Sequence, residues 1–219
     1  HVTGVQTCAS PICPPMPSDL DSQMTGIVDY LDAARIPSLC RNGVEADDWI
    51  AALALCAARD GLNVVIASSD KDFMQLVGPR VGLLKPNDKA ESVWTDANVR
   101  ATTGVAPEQI VDWLSLVGDS VDNIPGVPGV GPKTATELLC RFESVEQLYS
   151  RLDEVESPRL RAKLGESRHI VERNQELIRL HSEVVGDCDI SSLRAGPPDV
   201  PRLLRLLAGW GFRTLRKIG

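Results

Sequence analysis

The 219-residue chain has few histidines, no closely spaced cysteine pair and no long apolar run, and each lack removes a class of function. Its histidines are His1, His169 and His181, the last two in polar sequence that reads as surface, so histidine-centred catalysis has little to work with. Cys8, Cys13, Cys40, Cys56, Cys140 and Cys188 are scattered without a CxxC pair, which argues against a zinc site or a disulfide framework. Cys56 and Cys140 sit in helical apolar patterns and are expected as buried thiols. No stretch approaches the ~18 apolar residues of a membrane span, and no basic-then-apolar leader is present. A soluble, cytoplasmic protein with no membrane partner is the expectation. Internal repeats and low-complexity segments are lacking too.

What the chain does have is an ordinary globular composition, 43% hydrophobic and 24% charged. That suffices for one domain with an appendage, or for two small domains. The net charge of −7 looks wrong for a nucleic-acid binder, but it is unevenly spread. From Pro158 to Gly219 there are twelve Lys/Arg against seven Asp/Glu, net +5, which leaves −12 on the rest. A basic end joined to acidic clusters suits a protein that holds a polyanion and a cation together, and it equally suits a plain solvated surface.

The opening HVTGVQTCASPIC has no periodicity and no cap, and it reads as a foreign, adapter-derived segment over residues 1–13. Beyond it, Leu20, Met24, Ile27, Val28 and Leu31 recur at helical spacing, and Pro37 stops the pattern. A short strand, IPSLC, is expected next. Val44 to Ala58 reads as a helix with Glu45, Asp47 and Asp48 in its first turn and Gly61 past its end. LNVVIASSD (62–70) is a continuous apolar run, the pattern of a buried parallel strand. VGLLKP and ESVWT flank a PNDKA turn and can pair as a hairpin. Helices follow over 96–103 and 107–117, with Pro107 suited to a first turn. Helix and strand alternate to about residue 80, which implies an α/β fold with a parallel sheet, a core over 14–95. Residues 96–219 read as all helical apart from a loop at 189–201.

Three acidic groups stand out: EADD (45–48), DKD (70–72) and GDSVDN (118–123). Each has a bland reading by itself. First-turn acids favour a helix macrodipole, DKD makes a polar turn, and GDSVDN supplies helix caps. Taken together they point to chemistry. Asp70 falls at the carboxyl end of a parallel strand, where α/β folds place ligands. Asp119 and Asp122, three apart, face one way if their turn is helical. Convergence would gather Glu45, Asp47, Asp48, Asp70, Asp72, Asp119 and Asp122. Two such charges ~4 Å apart repel by ~4 kcal/mol at an effective dielectric of 20. Hard divalent ions with oxygen ligands answer that repulsion, and two ions can activate water and stabilise the leaving oxygen of a phosphodiester.

IPGVPGVGPKTATELL (124–139) supplies a second element. Gly126, Gly129 and Gly131 allow positive φ and close approach to a ligand. Amides of such a turn, at the mouth of a helix beginning near Pro132, form an anion nest around Val130, which Lys133 and Thr134 complete. Ala135, Leu138 and Leu139 belong to the core. The run GVGPKTA before an apolar pair fits a helix-hairpin-helix unit, which grips duplex backbone without reading bases.

In order, EADDWIAALA, SSDKDFMQLV and GDSVDNIPGVPGVGPKTA resemble the signature segments of the 5′-nuclease (flap endonuclease) family, and most of all those of the 5′→3′ exonuclease domain of bacterial DNA polymerase I. The resemblance covers residues 14–219. It implies a PIN-like nuclease core followed by a helical DNA-binding subdomain. It further implies structure-specific 5′→3′ exonuclease and 5′-flap endonuclease activity on duplex DNA in replication and repair. Glu45, Asp47 and Asp48 would serve one Mg²⁺ or Mn²⁺ ion, and Asp70, Asp72, Asp119 and Asp122 a second. A K⁺ ion is implied at the hairpin, and a polymerase domain in the parent protein.

Family members open with a strand bearing a metal-binding Asp, then a second such strand, and a basic helical arch, all before the segment that starts at PPMP. A βαβ unit needs ~30 residues, so the thirteen residues present do not contain them, and an impaired, front-truncated chain is the expectation. Trp49 stands where the family usually has a smaller apolar residue. Two other readings remain open: a non-catalytic duplex-DNA-binding module, and an unrelated RNA-cutting metal nuclease, which the hairpin disfavours.

Overall fold

The computed structural model describes residues 18–39, 43–86, 92–185 and 190–212. The segment 1–13, most of the PNDKA turn, and Cys8, Cys13, Cys40 and Cys188 lie outside those residues. In chain order the elements are α1 (Ser18–Ala33), α2 (Ala46–Arg59), β1 (Val64–Ala67), β2 (Val81–Leu84), β3 (Val93–Trp94), α3 (Asp96–Thr103) and α4 (Ile110–Val117). There follow β4 (Gly118–Asp119), β5 (Ile124–Pro125), α5 (Pro132–Phe142), α6 (Val145–Ser150), α7 (Pro158–Glu166), α8 (Arg168–Ile178) and α9 (Val200–Gly209). The chain divides into two units, residues 1–46 with 187–219, and residues 47–186. Among the described residues no helix is long and apolar enough to cross a membrane.

In the first unit α1 packs beside α9. Asp199 caps α9 by accepting from the Arg202 amide at 3.0 Å. The Arg202 guanidinium then reaches Asp29 at 3.1 Å and also pairs with Asp32, both on α1. Gly26 lies under the Trp210 ring, where an added Cβ would meet it at 3.2 Å. The strand expected at IPSLC is absent among the described residues. Ile36 and Leu39 are exposed and irregular, with no neighbouring strand to complete a ladder.

The second unit holds a three-stranded sheet in the order β1-β2-β3. β1 and β2 are parallel, with Val64 opposite Val81 and Ala67 opposite Leu84. β2 and β3 form the expected antiparallel hairpin, Leu83 opposite Trp94. β1 was expected buried on both faces, yet Val65 is 53% exposed while Ile66 is 5% exposed. Its continuous apolar run sits at a sheet edge and covers the core with one face, the other being open. Helix α2 begins at Ala46, so Glu45 precedes it and Asp47 and Asp48 occupy its first turn.

Helix α4 is the hub, because nearly every one of its residues is buried: Ile110, Val111, Trp113, Leu114, Ser115 and Leu116. It packs on α5 and α8. Asp112 on α4 accepts from the Val145 amide at 2.9 Å and from Gln175 Nε2 at 2.6 Å, tying in α6 and α8. On α5 the core face is Ala135, Leu138, Leu139 and Phe142. Cys140 falls off that face and is exposed, and Cys56 is half-buried, so neither is the buried thiol expected.

Among the described residues after 95 the regular elements are helices and the β4–β5 ladder, which pairs Gly118 with Pro125 and Asp119 with Ile124. Glycine is obligatory here. A Cβ on Gly126 would lie 2.1 Å from the Val117 carbonyl oxygen, and one on Gly118 2.4 Å from the Gly126 nitrogen. Asn174 of α8, buried to 1% exposure, donates to the Ser115 carbonyl at 3.0 Å and the Pro125 carbonyl at 2.7 Å. One amide thus joins the end of α4 to the ladder. Asn174→Leu should cost about 1–3 kcal/mol, because carbonyls lose a donor that a leucine cannot replace. Urea unfolding checks this, and an unchanged midpoint would remove Asn174 from the supports of the ladder.

Candidate metal centre

Three residues beyond the end of β1 the chain turns on its own side chains. Ser68 Oγ accepts from the Asp70 amide at 3.1 Å, and Asp70 Oδ1 from the Asp72 amide at 2.9 Å. A 3₁₀ turn, Asp72–Leu76, follows, pinned by buried Phe73 and Met74. Gln75 Nε2 donates to the carbonyls of Asp72 at 2.9 Å and Ile178 at 3.0 Å, while its Oε1 accepts from the Leu180 amide at 3.2 Å. This bracing holds Asp70 and Asp72 at the carboxyl end of a parallel strand, as their spacing from the apolar run suggested.

Asp119 and Asp122 arrive by a different route from the one expected. Their turn is not helical. Residues 120–123 close the β4–β5 ladder, with Asn123 at φ 57° and the Val121 amide donating to Asp119 Oδ1 at 2.8 Å. The tight turn swings Asp122 back towards the sheet. One carboxylate oxygen from each of Asp70, Asp72 and Asp122 lies within 4.8 Å of the others. Asp119, 5% exposed, stands beside them, and Lys71 Nζ donates to its Oδ2 at 2.7 Å.

The charges respond to this crowding. Burial, then the charges of Asp70, Asp122, Asp119 and Asp47, push the Asp72 carboxyl up to about 7. Asp122 is raised by burial and by Asp70 and Asp119. Burial works to raise Asp119 too, but the Lys71 hydrogen bond and charge and the amides of Val121 and Asp122 outweigh it and hold Asp119 below the usual carboxylate range. An all-oxygen set of acids at this spacing fits a hard divalent cation, whose charge would offset the part that neighbouring carboxylates add to burial in raising Asp72.

The other sequence candidates are placed unequally. Asp47 acts on Asp72 through its charge. Asp48 instead accepts from the His181 amide at 2.7 Å. Glu45 is exposed and falls in the first unit. Along the hairpin Gly129 has the expected positive φ of 85°, whereas Gly126 and Gly131 do not, and Gly126 is required by its own chain. Gly131 faces open space and begins the approach to α5. Lys133 is exposed, Thr134 half-buried, and Val130 buried, so Val130 offers backbone alone. Two cations escaped the sequence reading. Lys71 was visible between Asp70 and Asp72 but its partner was not, and Lys163 of α7 comes within 2.8 Å of where a Cβ of Gly129 would stand.

The pKa shifts set a pH dependence. Asp72 is raised, so between about 4 and 7 the folded chain holds a proton that the unfolded chain releases. Its stabilising contribution is present at acid pH and lost as pH rises through about 7. Asp119, being lowered, contributes above the ordinary carboxylate range and loses that contribution only as pH falls through its folded value. In EDTA the melting temperature should therefore fall from pH 6 to pH 8 by more in the parent than in Asp72→Asn, and Mn²⁺ should reverse the fall. Thermal melts decide it; equal pH slopes in the two proteins would exclude Asp72 as the titrating group.

Comparison with known proteins bears on the family. The family model for the 5′-3′ exonuclease N-terminal resolvase-like domain matches residues 13–104, and that for the 5′-3′ exonuclease C-terminal SAM fold matches residues 105–201. DNA polymerase I of Bacillus subtilis (strain 168) is 37% identical over 201 residues, which is 91% of this chain and 23% of that protein. The chain thus spans about a quarter of that relative's length. The 5′-3′ exonuclease of Aquifex aeolicus (strain VF5) is 36% identical over 204 residues, covering 93% of this chain and 68% of the relative. Among solved structures, the bacteriophage T5 D15 flap endonuclease in a pseudo-enzyme–product complex with DNA and metal ions superposes with a TM-score of 0.63 at 23% identity, over 75% of this chain and 61% of the other. With its resolvase-like core, its helical second part and its acidic cluster at the junction of sheet and hairpin, the chain belongs to the 5′-3′ exonuclease and flap endonuclease family of metal-dependent nucleases.

Proposed function

We propose that this chain hydrolyses phosphodiesters at the 5′ ends and 5′ flaps of duplex DNA in the bacterial cytosol, as a 5′→3′ exonuclease and flap endonuclease of replication and repair. The observation that carries the reading is the meeting of Asp70, Asp72 and Asp122 within 4.8 Å beside a glycine-rich hairpin. Residues 14–95 form the nuclease core and residues 96–219 the duplex-binding part. Asp70, Asp72, Asp119 and Asp122 would hold one Mg²⁺ or Mn²⁺ ion, with Asp47 close enough in charge to assist and Asp48 near a second. When bound, such ions supply Lewis-acid activation of water and stabilise the leaving oxygen.

The chain's own residues then orient the strand. Gly129 and Gly131 let a phosphate come close to the amides before α5, Val130 and Gly126 shape the turn from within, and Lys133 and Thr134 add a charge and a hydroxyl. Carbonyls of the same turn suit a K⁺ ion. The hairpin follows Asp122 directly, so the strand is gripped at a set distance from the acids.

An end-labelled 5′-flap duplex with Mg²⁺ and K⁺, against an EDTA control, tests the whole reading. EDTA-sensitive cuts near the flap junction would show that the acids present suffice for catalysis, and duplex binding without any cutting would leave a non-catalytic DNA-binding module. Asp119→Asn should abolish cleavage with binding largely kept, and retained Mg²⁺-dependent cutting would take Asp119 out of the centre. Lys133→Ala should weaken binding and flatten the log–log salt slope by about one phosphate.

A further inference from the structure

Of the four clustered carboxylates, Asp119 has an ammonium on it. Lys71 lies between Asp70 and Asp72 in sequence but donates to Asp119 Oδ2, 48 residues away, at 2.7 Å. The two partners differ in freedom. Asp119 is 5% exposed, paired in the ladder and bonded to the Val121 amide, so it cannot leave. The Lys71 side chain is 47% exposed on a flexible four-carbon stem and can swing into water without disturbing the core. A divalent ion among these acids would repel the ammonium and, in the centre proposed above, draws on the same Asp119 carboxylate.

We propose that Lys71 is an intramolecular counter-ion that competes with the divalent cation for Asp119, and so sets the metal concentration at which the centre fills. This rests on the metal-centre reading above. In the metal-free chain Lys71 quenches the most buried acid and leaves Asp70, Asp72 and Asp122 as the entry point. Filling the centre then requires Lys71 to release Asp119, and the apparent affinity falls by the fraction of time that Asp119 is covered. The lysine is a positioning residue, with no part in the reacting atoms.

The test is Mn²⁺ binding to the full chain, followed by calorimetry and by the EPR signal of free Mn²⁺. Parent, Lys71→Met, Lys71→Arg, Asp119→Asn and the Lys71→Met/Asp119→Asn double variant form a double-mutant cycle. Lys71→Met should tighten Mn²⁺ binding by about tenfold, a coverage of Asp119 of roughly nine-tenths. Lys71→Arg should bind as the parent does. Without Asp119 the same Lys71→Met change should give a much smaller gain. Binding that is unchanged or weaker in Lys71→Met, or a gain equally large without Asp119, overturns the competition while leaving the metal centre intact. A parent that takes no Mn²⁺ overturns both. Cooperative melting in saturating Mn²⁺ confirms that each variant is folded, and Lys71→Gln replaces Lys71→Met if the latter is not.

Discussion

Mutual repulsion of carboxylates governs the build of this chain. Asp70, Asp72 and Asp122 sit within 4.8 Å of one another, and Asp119 adds its field to both Asp72 and Asp122. At that distance each ionised pair is opposed by on the order of 3 kcal/mol at an effective dielectric of 20. A loose loop would relieve such a force by moving apart. The turns that carry Asp70, Asp72 and Asp119 are fastened to their surroundings. Phe73 and Met74 bury the turn below Asp72, Gln75 ties it to the end of α8, and side-chain-to-amide bonds close the turns at Asp70 and Asp119. Burial and that repulsion together raise the Asp72 carboxyl, and Lys71 donates to Asp119.

The glycine-rich hairpin is built from the same piece of structure. The ladder that carries Asp119 and Asp122 opens directly into the glycine turn and α5, and its backbone contacts leave no room for side chains at Gly118 or Gly126. Asn174 fastens that ladder to α4, and α4 is packed between α5 and α8. Acids and hairpin are thereby tied to one packed core. Among the described residues some cations of the basic end are already engaged. Arg202 is engaged by Asp29 and Asp32, and Arg168 by Glu172, whereas Lys163 is directed at the hairpin.

Much of this was legible in the residues themselves. Apolar spacing marked α1, α2, α4 and α5, the parallel strand β1 and the β2–β3 hairpin, because periodicity reports which face is covered. Motif order pointed to the family, and the acidic groups named Asp70, Asp72, Asp119 and Asp122. The misreadings share one origin. IPSLC has strand-like residues but no ladder partner, β1 has an apolar sequence on an open face, and Cys140 sits in an apolar pattern one residue off the buried stripe. Each depends on a neighbour distant in sequence, and local pattern carries no record of that neighbour.

The sequence by itself determined the types of residue available, namely oxygen ligands in three short groups, a glycine turn with a lysine, and helices long enough to carry them. Tertiary structure decided which of these meet. It brought Asp122 to Asp70 and Asp72 through a ladder turn instead of a helix, sent Asp48 to the His181 amide, and gave Lys71 to Asp119. The reason is geometric. Spacing along a helix or strand constrains neighbours within a few residues, whereas contacts across 48 or more residues are set by how the packed core orients its exits.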